Sequence, residues 1–166
     1  MRTVQNNIFI LLIGVGILQF LYYWPLMPGR MASHFDGMGN PNGWQSRSGF
    51  FGFSTAMLVF VVLFNSVFPA LLHRIPDMLL NIPNKDIWLA PDRRAETLSV
   101  VRSRMALFGN ALLAFFITTF QLVFQANLTD ARRLSSGMWF LLAAYLVFVL
   151  VWTIELILKF RRPQSG

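Results

Sequence analysis

Four long stretches of this 166-residue chain carry no charged side chain. They are dominated by aliphatic and aromatic residues and cover 3–29, 48–72, 105–129 and 134–154. A helix that crosses a bilayer needs about 20 mostly apolar residues, and each stretch reaches that length. Because lipid offers no partner to backbone N–H and C=O groups, we expect each stretch to form a helix.

The spans are predicted near residues 6–24, 49–72, 104–126 and 136–160. They leave an outer loop at 25–48 and an inner loop at 73–103. This pattern predicts an all-α integral membrane protein, with a single four-helix bundle over residues 1–166 and a structured outer loop between helices 1 and 2. Charged residues make up only 13% of the chain, against about a quarter in soluble domains, which favours the same interpretation.

The positions of lysine and arginine predict how the spans are oriented. Ten of the 14 basic residues fall at the termini and in the inner loop, and four fall in the two outer loops. We therefore expect a multi-pass protein of the bacterial cytoplasmic membrane with both termini in the cytoplasm. The net charge of +7 suits the anionic lipids of an inner leaflet, and no aromatic-interleaved basic patch indicates nucleic-acid binding.

The chain offers little catalytic or metal-binding chemistry. It has no cysteine, which excludes disulfides and thiolate sites. Its two histidines, His34 and His73, are predicted on opposite sides of the membrane and so cannot share a metal ion. Paired carboxylates, nucleophile motifs and phosphate-binding loops do not occur. We therefore expect no enzyme activity, no metal and no cofactor.

The outer loop is long for a helix–helix connection and dense in proline, glycine and aromatic residues. Its end, Asn40-Pro41-Asn42-Gly43, predicts a tight turn. Three interpretations of His34 stay open. The imidazole could bond the loop's own backbone with help from Asp36, recognise a peptide or other ligand with pH sensing, or serve a metal or catalytic site with Asp36 or Asp130.

Polar residues inside the spans predict local contacts. Asn65 is expected to bond a neighbouring helix, and Pro69 to kink its own helix. Glu155 is predicted to pair with Lys159 at i+4, the alternative being a proton or ion role.

The end of the inner loop predicts the start of a long helix. Pro91 suits a first helical position and Asp92 suits the positive end of the helix dipole. This helix is expected to continue without a break into the third span. Its charges, Arg93, Arg94 and Glu96, are either simply solvated or form a surface for a partner or lipid headgroups.

The outer loop also resembles a known family. The pattern Pro-x-x-x-Pro-x-His-Phe-x-x-x-Gly-x-Pro-x-x-Trp, directly after a first spanning helix, is similar to the domain of unknown function 1648, the membrane domain found in the SdpI immunity protein. The family's positions are occupied here by Pro28, His34, Phe35, Gly39, Pro41 and Trp44, and a basic residue that often closes the motif is Arg47. Two departures are Ala32, in place of the family's second proline, and Asn42, in place of an acidic residue.

A second stretch strengthens this resemblance. Residues 83–94, which include Lys85 and Trp88, resemble the "Pro-Asn-Lys-x-Tyr-Trp-Leu-Ala-Pro-Glu-Arg-Arg" stretch of small family members. Most of the family has no assigned activity. The SdpI immunity protein protects its producer against a secreted toxic peptide, is coupled to sequestering a cytoplasmic repressor, and has further membrane helices.

These observations lead to a first hypothesis of a non-enzymatic membrane protein with an immunity-like or signalling-like role. Its outer loop would bind an extracytoplasmic peptide or other ligand through His34, Phe35, Asp36, Gly39, Pro41 and Trp44. Its inner face would contact a partner or lipid through Lys85, Trp88, Arg93, Arg94 and Glu96.

Two alternatives stay open. One is an accessory subunit of a larger membrane complex or transporter, or a homo-oligomer, with small residues such as Gly14, Gly16 and Gly109 in helix contacts. The other is a membrane enzyme or metal transporter.

Overall fold

The computed structural model describes residues 2–161, with side chains from residue 3 onward. In chain order, the elements are α1 (Arg2–Tyr23), β1 (Arg30–Phe35), β2 (Pro41–Ser46), α2 (Arg47–Leu71), the short helix α3 (Lys85–Trp88), α4 (Arg94–Asn127) and α5 (Gly137–Arg161). Two single 3₁₀ turns, Leu72–Arg74 and Asp77–Leu79, lie between α2 and α3.

Four helices, α1, α2, α4 and α5, are long and apolar enough to cross a membrane. Large aliphatic and aromatic side chains stay exposed along α1, α2 and α5, as expected of surfaces that face lipid rather than water. The predicted all-α fold class with four spanning helices is therefore confirmed.

The predicted continuous third helix is also present, since α4 runs for 34 residues from Arg94 to Asn127. It begins at Arg94 rather than at Pro91. The carbonyl of Ala90 accepts the N–H groups of both Arg93 and Arg94, at 2.9 Å each, so the chain makes a turn before the helix starts.

The long helix α4 is the centre of the bundle, and α1, α2 and α5 each pack along it. Accordingly, α4 holds most of the buried positions in the helices, whereas Phe160 is the one buried residue of α5 within the described part of the chain. The helices α1 and α2 therefore flank α4 with a groove between them.

The outer loop folds into an antiparallel β-hairpin, which the sequence did not predict. Two strands alone are marginal in water, so the hairpin needs packing against the helices. Its buried residue Met31 joins an aromatic cluster at this end of the bundle, together with Tyr23, Phe50, Phe51 and Phe124. Phe124 is stacked on both Tyr23 and Phe51, at centroid distances of 4.7 and 5.2 Å. The hairpin thus rests mainly on α2 and α4.

Asn127, buried at the last position of α4, anchors the hairpin. Its side-chain oxygen accepts the N–H of Ala32 at 2.7 Å, and its NH₂ group donates to the Ala32 carbonyl at 2.9 Å. The same NH₂ group donates to the carbonyl of Val123 at 2.9 Å. The primary amide therefore satisfies both backbone groups of a fully buried strand residue, which water cannot reach. A proline at position 32 would lack the N–H that Asn127 accepts.

The predicted ion pair between Glu155 and Lys159 is wrong. The carboxylate of Glu155 accepts instead from the Nη1 atom of Arg104 on α4, at 2.6 Å. The reason is that α4 places the guanidinium of Arg104 beside α5. The resulting charge-assisted bond connects two helices, whereas a bond between Glu155 and Lys159 would have stayed within α5. Trp152 reinforces the same contact by donating its indole N–H to the carbonyl of Arg104 at 3.0 Å.

The Asn127→Ala variant should lose about 3 kcal/mol of stability, because it leaves a buried N–H and a buried C=O of Ala32 without partners. Thermal unfolding of purified protein in mild detergent measures the loss, and limited proteolysis tests whether the hairpin becomes accessible. The matched control is Asn42→Ala, since Asn42 is exposed on β2. Equal unfolding temperatures for the two variants would contradict the anchoring role.

Candidate functional site

Asp36 builds the turn of the hairpin. Its Oδ1 atom accepts the backbone N–H groups of Met38 and Asn40 at 2.9 and 2.8 Å, and its Oδ2 atom accepts the side-chain amide of Asn40 at 3.1 Å. These bonds to Asn40 and Met38, with the charge of Arg133 nearby, lower the pKa of the Asp36 carboxyl below its ordinary value of 3.8. Asp36 does not cap His34, because its oxygens are turned into the loop.

Gly39 joins the turn to the loop between α4 and α5. It has a positive φ of 82°, which disfavours any residue with a Cβ atom. Its carbonyl accepts the N–H of Leu134 at 2.8 Å, and a Cβ added to it would lie 2.5 Å from the Leu134 oxygen. Arg133 adds a further bond by donating from its Nε atom to the carbonyl of Met38 at 3.0 Å.

The predicted turn at Asn40-Pro41-Asn42-Gly43 is wrong, because strand β2 already begins at Pro41. The loop comes earlier, where the N–H of Asp36 donates to the carbonyl of Asn40 at 2.9 Å. Gly43 serves close packing instead of a turn. A Cβ atom there would lie 2.8 Å from the side chain of His34 on the paired strand.

The exposed surface of the hairpin is built around Trp44. Its indole is 38% exposed, and the guanidinium carbons of Arg30 and Arg132 lie 5.7 and 5.2 Å from its ring centroid. Arg132 is held in place because it donates to the carbonyl of Arg30 at 3.2 Å. Arginines beside an aromatic face give a cation–π arrangement that orders all three side chains. His34 is also exposed, on β1.

The six predicted ligand-binding residues thus share one hairpin but not one surface. His34 and Trp44 are exposed, and Pro41 is half-buried opposite Phe35. Phe35 packs against the aromatic cluster, and Asp36 and Gly39 shape the turn. The binding role of all six stays a prediction.

The sequence placed Arg47 in the motif but did not reveal what its side chain does. It begins α2 and donates from Nη1 to the carbonyls of Trp24 and Met27, at 3.3 and 3.2 Å. Its guanidinium also lies 4.9 Å from the ring centroid of Trp24. A cation here satisfies carbonyls just beyond the negative end of α1, where a positive charge is favoured. Arg47 therefore fixes how the chain leaves the first helix.

The five residues predicted at the inner face lie at the opposite end of the bundle, and they too differ in burial and in bonding. Trp88 is buried and donates its indole N–H to the carbonyl of Phe160 at 2.8 Å, so it holds α3 against α5. Arg94 pairs with Asp77 at 2.9 Å, and Arg93 lies 3.9 Å from Asp92. Lys85 and Glu96 are exposed. A partner or lipid role for them stays a prediction.

Metal-binding side chains do not gather anywhere in residues 2–161: no three histidine or carboxylate side chains lie close enough to hold an ion. His34 and His73 lie at opposite ends of the bundle, as their places before and after α2 require.

The Gly39→Ala variant should lose about 2 kcal/mol of stability, because alanine is strained at this φ and would collide with the Leu134 carbonyl. Gly37→Ala is the matched control in the same turn, since a Cβ atom at Gly37 meets nothing within 4 Å and its φ is not positive. Thermal unfolding in detergent compares the two variants. Equal destabilisation would show that the turn is not held as described.

The stability that Asp36 contributes should depend on pH below its ordinary pKa of 3.8. Because folding lowers this pKa, the contribution is complete above 3.8 and is lost as the pH falls through the lower, folded value. The difference in unfolding temperature between wild type and Asp36→Asn should therefore stay constant from pH 7 to about 4 and shrink below that. A difference that does not change down to pH 2.5 would contradict this assignment.

Comparisons with known proteins bear on the same region. No curated protein and no solved structure matches the chain. Residues 10–58 match the family described as "Domain of unknown function (DUF1648)". The match covers the second half of α1, the whole hairpin and the first half of α2, so it contains all six predicted ligand-binding residues. The family recognised from the motif is therefore confirmed by this match, which covers residues 10–58.

Proposed function

We propose that this is a non-enzymatic protein of the bacterial cytoplasmic membrane whose hairpin binds an extended peptide outside the cytoplasm. Both termini would lie in the cytoplasm. The distribution of basic residues supports this orientation. Arg30, Arg47, Arg132 and Arg133 belong to the hairpin end, and the other described basic residues lie at the opposite end, which the positive-inside rule favours for the cytoplasm.

The observation that carries the proposal is the ordered, exposed indole of Trp44 between two arginines. Tryptophan and arginine are the residues that most often dominate binding energy at interfaces. A side chain that is already held in one position loses little conformational entropy when a ligand arrives. The Trp44 surface, defined as Trp44, Arg30 and Arg132, would thus suit a peptide with apolar and acidic residues.

The strand that carries Trp44 supports an extended ligand. β2 pairs only with β1 within residues 2–161, so its other edge has no neighbouring strand. An open edge can take up an extended peptide through backbone hydrogen bonds, with side-chain surfaces setting the specificity. On β1, Asn127 already occupies the backbone groups of Ala32, which leaves β2 as the edge for a ligand.

Trp44→Ala should lower peptide binding at least tenfold, because about 2 kcal/mol is typical of such an anchor. His34→Ala should lower it less, since His34 lies on the neighbouring strand. Cells that express each variant are challenged with secreted membrane-active peptides, and binding of a labelled peptide that wild type tolerates is measured on purified protein. Trp139→Ala is the control, because Trp139 is exposed but belongs to α5. Unchanged tolerance and binding in Trp44→Ala at normal protein levels would overturn the proposal.

The role of an accessory subunit is a second candidate, and one observation favours it. α5 contacts the bundle chiefly through α4, which leaves most of its apolar surface for lipid or another membrane protein. A Cβ atom added at Gly14 would meet nothing within 4 Å. At Gly16 it would lie near Ile117, and at Gly109 against Asn65, so of these three glycines only Gly14 is open to a partner helix.

A further inference from the structure

The groove between α1 and α2, with α4 as its floor, changes character along its length. At the end opposite the hairpin it is a polar cleft of about 830 Å³. Toward the hairpin it is an apolar groove of about 720 Å³. The two meet within one turn on each helix, for example at Phe9 and Leu12 on α1 and at Asn110 and Leu113 on α4. The polar cleft and the apolar groove are therefore adjacent along the three helices.

The polar cleft is positively charged. Among its described lining residues are Arg102 and His73, and there is no carboxylate. The Nε atom of Arg102 is buried without a hydrogen-bond partner in the described residues, and Arg102 forms no ion pair there. Arg102 is partly buried, and an ionised guanidinium whose Nε atom is shielded from water without a partner is costly. The cleft thus presents a cation that an anionic ligand would satisfy.

The walls of the cleft are held open by a separate set of polar contacts. The side-chain amide of Gln5 donates to the carbonyl of Ser103 at 3.2 Å, and that of Asn110 donates to the carbonyl of Gln5 at 2.9 Å. Asn65 lies against Gly109 and reaches Asn110 at 3.5 Å. These bonds join α1, α2 and α4 without using Arg102 or His73. The guanidinium of Arg102 is therefore left for a ligand.

The end of the apolar groove nearest the cleft lies within reach of an acyl chain. Gln5, which is bonded to Ser103 beside Arg102, is seven residues before Leu12, where the groove begins. Seven residues are about 10 Å of helix, against about 15 Å for the hydrocarbon of one leaflet. A chain whose head lies in the cleft would therefore bury apolar surface against Leu12 and Leu113.

From this arrangement we infer a binding site for an anionic phospholipid. Its phosphate group contacts Arg102 and His73, and one acyl chain enters the near end of the groove at Leu12 and Leu113. Charge complementarity selects the head, because arginine binds phosphate through fixed N–H donors. The site is distinct from the Trp44 surface, so it stands or falls independently of the proposed function.

The test uses full-length protein in a neutral detergent with three probes: a short-chain phosphatidylglycerol, the phosphatidylcholine of equal chain length, and inorganic phosphate. Binding is measured by native mass spectrometry and thermal shift. Wild type should bind phosphatidylglycerol at least tenfold more tightly than either other probe, and Arg102→Gln should lose about tenfold of that affinity, as expected for one charge-assisted contact. Arg133→Gln is the matched control, since Arg133 lies at the hairpin end.

A second pair of variants tests the chain. Leu12→Phe narrows the groove at its near end, and Leu11→Phe adds the same side chain at an exposed position outside the groove. Phenylalanine is tolerated in a helix interior, so both variants should fold. Leu12→Phe alone should weaken phosphatidylglycerol binding. Equal binding of both lipids by wild type, undiminished binding by Arg102→Gln, equal binding by the two leucine variants, or phosphate binding as tight as lipid binding would overturn the inference.

Discussion

The buried amide of Asn127 is the contact on which the hairpin end of this protein depends. A two-stranded hairpin has too little surface to be stable alone, and this one must lie where helices emerge from a bilayer. The side chain of Asn127 satisfies the N–H and C=O of Ala32 and ties the strand to the longest helix. The aromatic cluster around Phe124 can then exclude water beneath the hairpin without leaving backbone groups unpaired.

The two ends of α4 differ in how fully the polar groups around them are hydrogen-bonded. Near the hairpin, polar side chains such as those of Asn127 and Arg47 donate hydrogen bonds to backbone carbonyls of the same chain. At the far end, Asn110 joins the helices, but Arg102 is left facing a cleft. Unpaired polar groups are costly in hydrocarbon. The hairpin end, where these groups are paired, is therefore suited to holding a fixed conformation, and the far end, where Arg102 faces the cleft, is suited to binding a ligand. The Trp44 surface thus depends on polar groups that are already paired, and the cleft on a polar group that is not.

The sequence predicted what depends on local composition. Charge-free segments revealed the four helices, and the motif with His34 and Trp44 revealed the family. It did not predict what depends on distant partners. The hairpin could not be foreseen because Asn40-Pro41-Asn42-Gly43 has the local signature of a turn, and only pairing with β1 makes it a strand. The partner of Glu155 was wrong for the same reason, since Arg104 is 51 positions away along the chain. Asn127, a polar residue at the end of an apolar segment, was the one available signal for the anchor.

Amide hydrogen exchange at Ala32 tests the central claim most directly. If Asn127 accepts its N–H in a buried site, that amide should exchange as slowly as amides in the middle of α4, and far more slowly than the exposed amide of Met38 in the turn. The measurement needs only wild-type protein in detergent or nanodiscs, with peptide-resolved mass spectrometry or NMR. Exchange at Ala32 as fast as at Met38 would contradict the account, because the hairpin would then not be held on the bundle.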